Sequence, residues 1–297
     1  MYDCIVIGKG PAGITASIYL VRAGFSCLVI GKDKGSLTKT EKIENYYGFE
    51  EPIEGEELIQ KGINQATRLG VVVKTEEVLS IVLTEDNLFS VNTQKKEYNS
   101  RFVILATGSN RNVPNIKGIK EFEGKGVSYC AICDAFFYRQ KKVAVLGNGN
   151  YAMKEISDLL PVTGQITLLT NGRPAIEKRS QIKIIEKPIQ TIEGNQKLER
   201  IRFQDDSKIE IDGLFIAEGT ASSTDFARKL GAFLEGNNIQ VDEQMQTNIP
   251  GLYAAGDCTG GILQISKATY DGTKAAFSII KKLKKGGKRD VSDKINK

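Results

Sequence analysis

A glycine-rich turn close to the amino terminus constrains the fold of this chain more than any other feature. A short apolar run, Cys4–Ile7, stops at the turn Gly8–Gly13, and a helix-like stretch and a second apolar run, Cys27–Ile30, follow. This order of strand, glycine turn, helix and strand is that of a βαβ unit. Glycines at this spacing allow a tight turn, close helix packing and close backbone approach to a pyrophosphate. The segment therefore predicts a dinucleotide-binding α/β fold.

The same pattern begins a second time in the middle of the chain. The apolar run Lys142–Leu146 leads into Gly147-Asn148-Gly149, which predicts two nucleotide-type folds in tandem. Another predicted strand, Arg101–Leu105, ends at Ala106-Thr107-Gly108. Near the carboxyl terminus Asp257 follows a strand of small residues, where its carboxylate either reaches a sugar or ribityl hydroxyl or simply stabilises a turn.

Composition narrows the chemistry that this chain can perform. Its 297 residues include no histidine, which excludes imidazole bases, Ser/His and Cys/His nucleophile pairs and His-ligated metal sites. The five cysteines are too few and too scattered for a disulfide framework, which indicates a reducing, cytoplasmic location. The start resembles no leader, and we expect neither a membrane span nor nucleic-acid binding. The formal charge of +5 suits an acidic protein partner.

The strongest chemical signal is the pair Cys130 and Cys133, which are separated by two residues. Two thiols at this spacing can close a disulfide within one turn, and in a reducing compartment such a pair is redox-active or binds metal. A structural zinc ion would need two further ligands, and an inert pair is the other alternative. The adjacent Asp134 is either a proton donor to a departing thiolate or the cap of the helix that follows.

Taken together, these motifs resemble those of the low-molecular-weight thioredoxin reductases over nearly the whole chain. The matching segments occur in the family's order: Gly8–Gly13, Leu37-Thr38, Ile43–Phe49, Ala106–Gly108, Cys130–Asp134, Gly256-Asp257 and Gln264-Ile265. The resemblance implies an α/β protein of two Rossmann-like, three-layer ββα nucleotide-binding domains, the second inserted into the first. An FAD-binding domain would comprise residues 1–111 and 242–297, and residues 114–240 would form the inserted redox domain with the cysteine pair.

The resemblance also implies roles for individual residues. Cys133 would face the flavin, Cys130 would attack the thioredoxin disulfide, and Asp134 would donate a proton. The residues implied to bind FAD are Gly8, Gly10, Pro11, Ala12 and Gly13 at the pyrophosphate, with Thr38, Asn45, Ala106, Thr107, Gly108, Gly256, Asp257, Gln264 and Ile265 around the rest. A homodimer is expected on the same basis.

The second glycine turn departs from the family pattern. NADPH-using relatives follow it with a strand that ends in a His-Arg-Arg cluster, whereas here the strand Gln165–Leu169 ends in Thr170-Asn171-Gly172, with Arg173 nearby. The acidic residue that would select NAD is also missing at that strand end. Asn148 and Tyr151 occupy positions that are usually small in relatives, and Tyr151 is expected to crowd the phosphate path.

A flavin without a hydride donor needs another electron source. The pattern is similar to the ferredoxin-dependent flavin thioredoxin reductases, and it implies thioredoxin reduction with electrons from reduced ferredoxin. The alternatives are an NADPH-dependent thioredoxin reductase, in which Arg173, Lys178 or Arg179 binds the 2′-phosphate, and a non-enzymatic flavoprotein that uses the thiol pair as a redox sensor.

Overall fold

The computed structural model describes residues 1–108, 114–177 and 179–295, with side chains described as far as Lys285. The chain divides into two compact units, one formed by Met1–Asn110 with Ser222–Lys297 and the other by Arg111–Ala221. Both units contain parallel sheets and helices, and the predicted α/β class with Rossmann-like folds is confirmed.

The first unit contains a seven-stranded sheet of β1 Tyr2–Ile7, β2 Cys27–Ile30, β3 Val72–Lys74, β4 Val78–Leu83, β5 Phe89–Thr93, β6 Glu97–Leu105 and β17 Leu252–Ala254, and a separate two-stranded sheet of β15 Leu234–Glu235 and β16 Asn238–Ile239. Its helices are α1 Pro11–Arg22, α2 Gly55–Arg68, α5 Ser223–Lys229 and α6 Ile265–Ile295. The large sheet has the strand order β3-β2-β1-β6-β5-β4, and β17 also pairs with β6. Strands β3, β2, β1, β6 and β17 are parallel, and β4-β5-β6 is an antiparallel meander.

The second unit has a five-stranded parallel sheet of β7 Val127–Ser128, β8 Val143–Leu146, β9 Ile166–Leu169, β10 Lys183–Ile185 and β14 Gly213–Ile216, in the order β10-β9-β8-β14-β7. Its second sheet is antiparallel and consists of β11 Ile189–Gly194, β12 Leu198–Phe203 and β13 Lys208–Glu210. The helices are α3 Ala131–Asp134 and α4 Asn150–Leu159. Apolar side chains from both sheets form one core, which includes Leu146, Phe203 and Leu214.

The boundary between the units differs from the one expected from the sequence. Residues 222–240 belong to the first unit, whereas the sequence placed residues up to 240 in the inserted domain. The reason lies in local hydrogen bonds: Ser223 Oγ accepts from the backbone N–H and the hydroxyl of Thr107, at 3.0 and 2.8 Å, and the N–H of Ser223 donates to Thr107 Oγ1 at 2.7 Å. These bonds join the start of α5 to the segment that follows β6.

Helix α1 is held tightly against the elements around it. It begins at Pro11, where the missing N–H costs nothing, and it buries Ala12, Ile14, Ala16 and Leu20. A Cβ on Gly272 of α6 would lie 2.1 Å from the carbonyl oxygen of Ala12, so the two helices need glycine at their contact.

Helix α6 runs from Ile265 to Ile295, so it includes the lysine-rich segment that follows Ile280. Among the residues that the structure describes, no helix is both long and apolar enough to cross a membrane.

The glycine turn gives a stability prediction. Gly8 has φ +123°, and a Cβ there would lie 2.2 Å from the carbonyl oxygen of Ala106. We expect Gly8→Ala to lower the free energy of unfolding by about 3 kcal/mol through backbone strain and overpacking. Chemical denaturation of the apoprotein measures this. Gly10→Ala is the control, since its φ is −77° and a Cβ there meets nothing within 4 Å. Equal stability of the two variants would contradict the account.

Candidate functional site

The two cysteines of the Cys-x-x-Cys pair form a disulfide just beyond strand β7. Their Cα atoms lie 5.3 Å apart, and Cys130 is the N-cap of the short helix α3. The backbone N–H of Cys133 donates to Cys130 Sγ at 3.2 Å. The carboxyl end of a parallel strand therefore presents a redox-capable sulfur pair.

The two sulfur-bearing residues differ in their access to solvent. Cys130 is 1% exposed, whereas Cys133 is exposed. Three residues close to Cys133 in the sequence have exposed apolar side chains, and we call them the apolar rim: Ile132, Phe136 and Phe137. An incoming thiol or reductant therefore meets Cys133 first in this arrangement.

Asp134 is connected to the disulfide through a serine. Ser128 Oγ accepts from the backbone N–H of Cys130 at 3.1 Å and donates to Asp134 Oδ2 at 2.6 Å. Asp134 stands at the N-cap of the 3-10 helix Ala135–Tyr138 but makes no capping hydrogen bond with its side chain. The alternative that it caps the following helix is therefore wrong, and the carboxylate is instead oriented beside the cysteine turn.

Glu155 also contacts the cysteine turn, and the sequence analysis missed it. This side chain lies on α4, is 1% exposed, and its Oε2 accepts from the backbone N–H of Ala131 at 2.8 Å. A sequence signal for it does exist. Its position falls within the apolar face of α4, between the buried residues Ala152 and Leu159, where a carboxylate is unusual.

In the first unit, the glycine turn leaves the start of α1 open. A Cβ on Gly13 would lie 2.3 Å from the carbonyl oxygen of Gly8, whereas a Cβ on Gly10 meets nothing within 4 Å. Gly10 is the N-cap, and no side chain caps the helix there. Lys9 points away to Thr75 Oγ1, at 3.1 Å from its Nζ, and burial lowers its pKa. The open helix start is suited to a phosphate group.

The turn at Gly256 is fixed by residues of α6 that the sequence did not single out. Lys267 Nζ donates to the carbonyl oxygens of Gly256 and Gly260, at 2.9 and 2.7 Å, and lies 2.8 Å from Asp271. The buried Asp271 in turn accepts from the N–H of Gly256 at 3.1 Å. Burial raises the pKa of Asp257, an effect that the charge of Lys267 opposes.

The structure also brings together residues that are distant in the sequence. Asn45 Nδ2 donates to Gln264 Oε1 at 3.2 Å, just before Ile265 begins α6. Asn45 is one of the residues lining an open cleft of about 610 Å³, formed by Glu44, Asn45, Tyr46, Tyr47, Gly48 and Phe49. Thr38 lies in the 3-10 helix Ser36–Lys39 and donates to the carbonyl oxygen of Gly35. Ala106 contacts the Gly8 turn, and Thr107 pairs with Ser223.

These residues fit the flavin dinucleotide that the sequence resemblance implies. The open start of α1 suits a pyrophosphate, the half-buried Asp257 offers acceptors to hydroxyl groups, and the Asn45–Gln264 pair borders an open cleft. The required close approach is present as well, because a Cβ on Gly256 would lie 3.0 Å from the Cβ of Ala12.

The second glycine turn has the same close backbone approach as the first but different charged neighbours. A Cβ on Gly147 would lie 2.2 Å from the carbonyl oxygen of Ala217, so the residues after β14 run along the turn. The next residue, Glu218, forms an ion pair with Arg173, which follows β9. Strand β8, which leads into the turn, lies between β9 and β14. The ion pair thus joins loops on both sides of β8 at the carboxyl edge of the sheet, where nucleotides bind in such folds.

Of the groups considered for a 2′-phosphate, the two that the structure describes, Arg173 and Arg179, are both paired. Arg173 also donates to the carbonyl oxygen of Thr170, and Arg179 is paired with Glu177 at 2.8 Å and bonded to Ser157. Lys178 lies outside the described residues. Tyr151 is 2% exposed, so its ring is packed in the interior of the second unit.

The remaining cysteines are free and buried. Cys4 and Cys27 are register partners on β1 and β2, and Cys258 lies in the 3-10 helix Asp257–Thr259. Burial raises the pKa of Cys4 well above its usual range and that of Cys258 to about 12. Over the described ranges, no group of three or more cysteine, aspartate or glutamate side chains is arranged to hold a metal ion.

Comparison with protein families and sequences places this site in a known context. The family profile of pyridine nucleotide-disulphide oxidoreductases matches residues 2–272. The thioredoxin reductase of Aquifex aeolicus is 34% identical over 311 residues, covering 98% of this chain and 95% of that protein. The thioredoxin reductase of Bacillus subtilis is 33% identical over 299 residues, covering 94% of each.

Two solved structures are similar over nearly the whole chain. The atypical thioredoxin reductase TRi from Desulfovibrio vulgaris Hildenborough aligns with a TM-score of 0.88 and 41% identity, covering 95% of this chain and 99% of that one. A ferredoxin-flavin thioredoxin reductase from Clostridium acetobutylicum aligns with a TM-score of 0.70 and 32% identity, covering 96% and 98%.

The difference in cysteine exposure gives a prediction for the reduced protein. With limiting iodoacetamide at pH 8, Cys133 should be alkylated at least about tenfold faster than Cys130, because thiol reactivity follows access and thiolate content. Cys4 and Cys258 should stay unlabelled, since burial raises the pKa of both thiols. Mass spectrometry of digested samples measures each rate. Labelling of Cys130 as fast as that of Cys133 would show that the burial of Cys130 is not retained in solution.

Proposed function

The chain belongs to the pyridine nucleotide-disulphide oxidoreductase family and is a thioredoxin-reductase-type disulfide oxidoreductase, and from this premise we propose that it reduces thioredoxin with electrons from reduced ferredoxin. The family membership rests on the match over residues 2–272 and on relatives more than 30% identical over nearly the full chain. The identity of the electron donor, reduced ferredoxin, is what we propose beyond the family membership.

FAD is the cofactor of this type of enzyme, and when bound it supplies the electron pair that reduces a disulfide. In this chain the start of α1 at Gly10 would hold its pyrophosphate, and Asp257 would bind hydroxyl groups. Asn45 and Gln264 would border the remainder. Lys267 and Asp271 hold the Gly256 turn in place for this purpose.

Once reduced to the dithiol, the cysteine pair would pass two electrons to the thioredoxin disulfide by thiol–disulfide exchange and would close to its own disulfide again. Cys133 is the exposed residue of the pair and would receive the electrons, and Cys130 would attack the thioredoxin disulfide. Because Cys130 is buried, this attack requires an arrangement other than the one described. Asp134, oriented by Ser128, would hold and return a proton beside the sulfurs. The apolar rim offers thioredoxin a docking surface.

The observation that carries the donor assignment is the ion pair between Arg173 and Glu218. A nicotinamide dinucleotide at the second glycine turn would need cations free for its phosphates, but Arg173 is already paired with Glu218. The carboxylate of Glu218 stands beside the turn and would repel a phosphate. Both effects disfavour NADPH, which supports a donor that binds elsewhere.

Helix α6 offers charge complementary to an acidic protein donor. Residues 265–285 carry six lysines and one acidic residue, and that residue, Asp271, is buried and paired with Lys267. Lys281, Lys282 and the two lysines after Leu283 are exposed. A surface of this kind accelerates association with an acidic partner, and the effect falls as salt increases. Ferredoxins are such partners.

The proposal also includes a cytoplasmic location and a homodimer. The location accords with three cysteines that remain free thiols, two of them register partners on adjacent strands. The homodimer rests only on the family resemblance.

An anaerobic reduction assay tests the donor. The FAD-loaded protein is mixed with oxidised thioredoxin and either chemically reduced ferredoxin or NADPH, and both the visible flavin absorbance and the thioredoxin thiols are followed. We expect ferredoxin to reduce the flavin at least about 100-fold faster than NADPH does, a difference of about 2.7 kcal/mol in barrier. Thioredoxin thiols should then appear steadily.

The controls separate the parts of this proposal. The Cys133→Ser variant should still bind flavin, and reduced ferredoxin should still reduce that flavin. The variant should no longer reduce thioredoxin. Rapid bleaching of the flavin by NADPH would contradict the ferredoxin assignment and favour the NADPH alternative. If neither donor sustained thioredoxin turnover while the flavin was reduced, the redox-sensor alternative would replace the enzyme.

A further inference from the structure

Glu155 is a buried carboxylate that the proposed chemistry does not use. It lies on α4, the helix that follows the second glycine turn, and its Oε2 accepts from Ala131 N at 2.8 Å. Ala131 is fully buried and is the first residue of α3, directly after Cys130. The carboxylate therefore bonds to the backbone between the two cysteines.

A hydrogen bond at this point restrains the cysteine turn at the peptide N–H next to the one that Ser128 holds. Ser128 Oγ accepts from the N–H of Cys130, and Glu155 accepts from the next N–H along the chain. Ala131 is fully buried, so losing this acceptor would leave a buried N–H without a partner, which is costly. The backbone of Cys130 and Ala131 is thus fixed by two consecutive hydrogen bonds.

We propose that Glu155 is a positioning residue for the disulfide, which keeps Cys130 Sγ within bonding distance of Cys133 by holding the N–H of Ala131. A fixed turn raises the effective concentration of one thiol toward the other and so favours the disulfide over the open dithiol. This inference rests on the redox role of the pair and not on the identity of the donor.

Dithiothreitol is the reductant in the reaction that tests this proposal. Its two thiols give up two electrons and two protons and close to the cyclic disulfide, while the bond between Cys130 and Cys133 breaks and both sulfurs become thiols. The position of this equilibrium is set by the stability of the protein disulfide. It requires no ferredoxin, NADPH or thioredoxin, so a failed donor assignment leaves this test intact.

Three substitutions separate the hydrogen bond from the charge. Glu155→Gln keeps an acceptor oxygen at the same reach without the charge, Glu155→Asp keeps the charge but is one methylene too short, and Glu155→Leu removes both. The FAD-loaded proteins are equilibrated anaerobically in dithiothreitol buffers, alkylated under denaturing conditions and analysed by mass spectrometry. We expect Glu155→Asp and Glu155→Leu to shift the equilibrium about tenfold toward the dithiol, about 30 mV, and Glu155→Gln to shift it by less than about threefold.

Asp158→Asn is the matched control, because this carboxylate lies on the same helix and pairs with Lys154. Its equilibrium should equal that of the wild type. Wild-type equilibria in both Glu155→Asp and Glu155→Leu would overturn the proposal, and so would a shift in Glu155→Gln as large as that in Glu155→Leu. Far-UV circular dichroism and flavin content verify folding. If Glu155→Leu fails to fold, the comparison of Glu155→Gln with Glu155→Asp still decides.

Discussion

The glycine turn of the first unit, residues 8–13, depends on backbone segments that lie too close to one another for a side chain to fit between them. A Cβ on Gly8 would collide with Ala106, one on Gly13 with the carbonyl of Gly8, and one on Gly272 with the carbonyl of Ala12. These contacts bring together the start of the chain, the end of β6 and the long helix α6. The glycine turn and the start of α1 are therefore in close contact with two segments that are distant in sequence, and both chain ends belong to one unit.

The second unit repeats the strand, turn and helix but uses them differently. Gly147 keeps the close approach to Ala217, so the backbone of a nucleotide turn is retained. The loops around it are joined by the Arg173–Glu218 ion pair, and the helix after the turn carries Glu155 to the cysteine turn. In the described part of the second unit, the residues around this turn therefore contact the cysteine turn and one another.

The sequence indicated the elements that depend on local pattern. The two glycine turns and the Cys-x-x-Cys pair are readable because chain geometry demands particular residues at fixed spacing. Lys267, Asp271, Glu155 and Glu218 were not identified, since each acts through a contact with a residue that only the fold brings near. Glu155 was nonetheless visible in principle as a carboxylate on an apolar helix face. The unit boundary at Ala221 depended on the Thr107–Ser223 bonds, which join segments more than 100 residues apart.

Central to the proposed donor is the inference that the described part of the second unit offers no open cationic site to a nicotinamide dinucleotide. Isothermal titration of the FAD-loaded protein with NADP⁺ tests it without any turnover. The account predicts no saturable heat up to about 1 mM, which corresponds to less than about 4 kcal/mol of binding free energy. A dissociation constant of about 10 μM or tighter, weakened by an Asn148→Trp substitution at the second glycine turn, would contradict it.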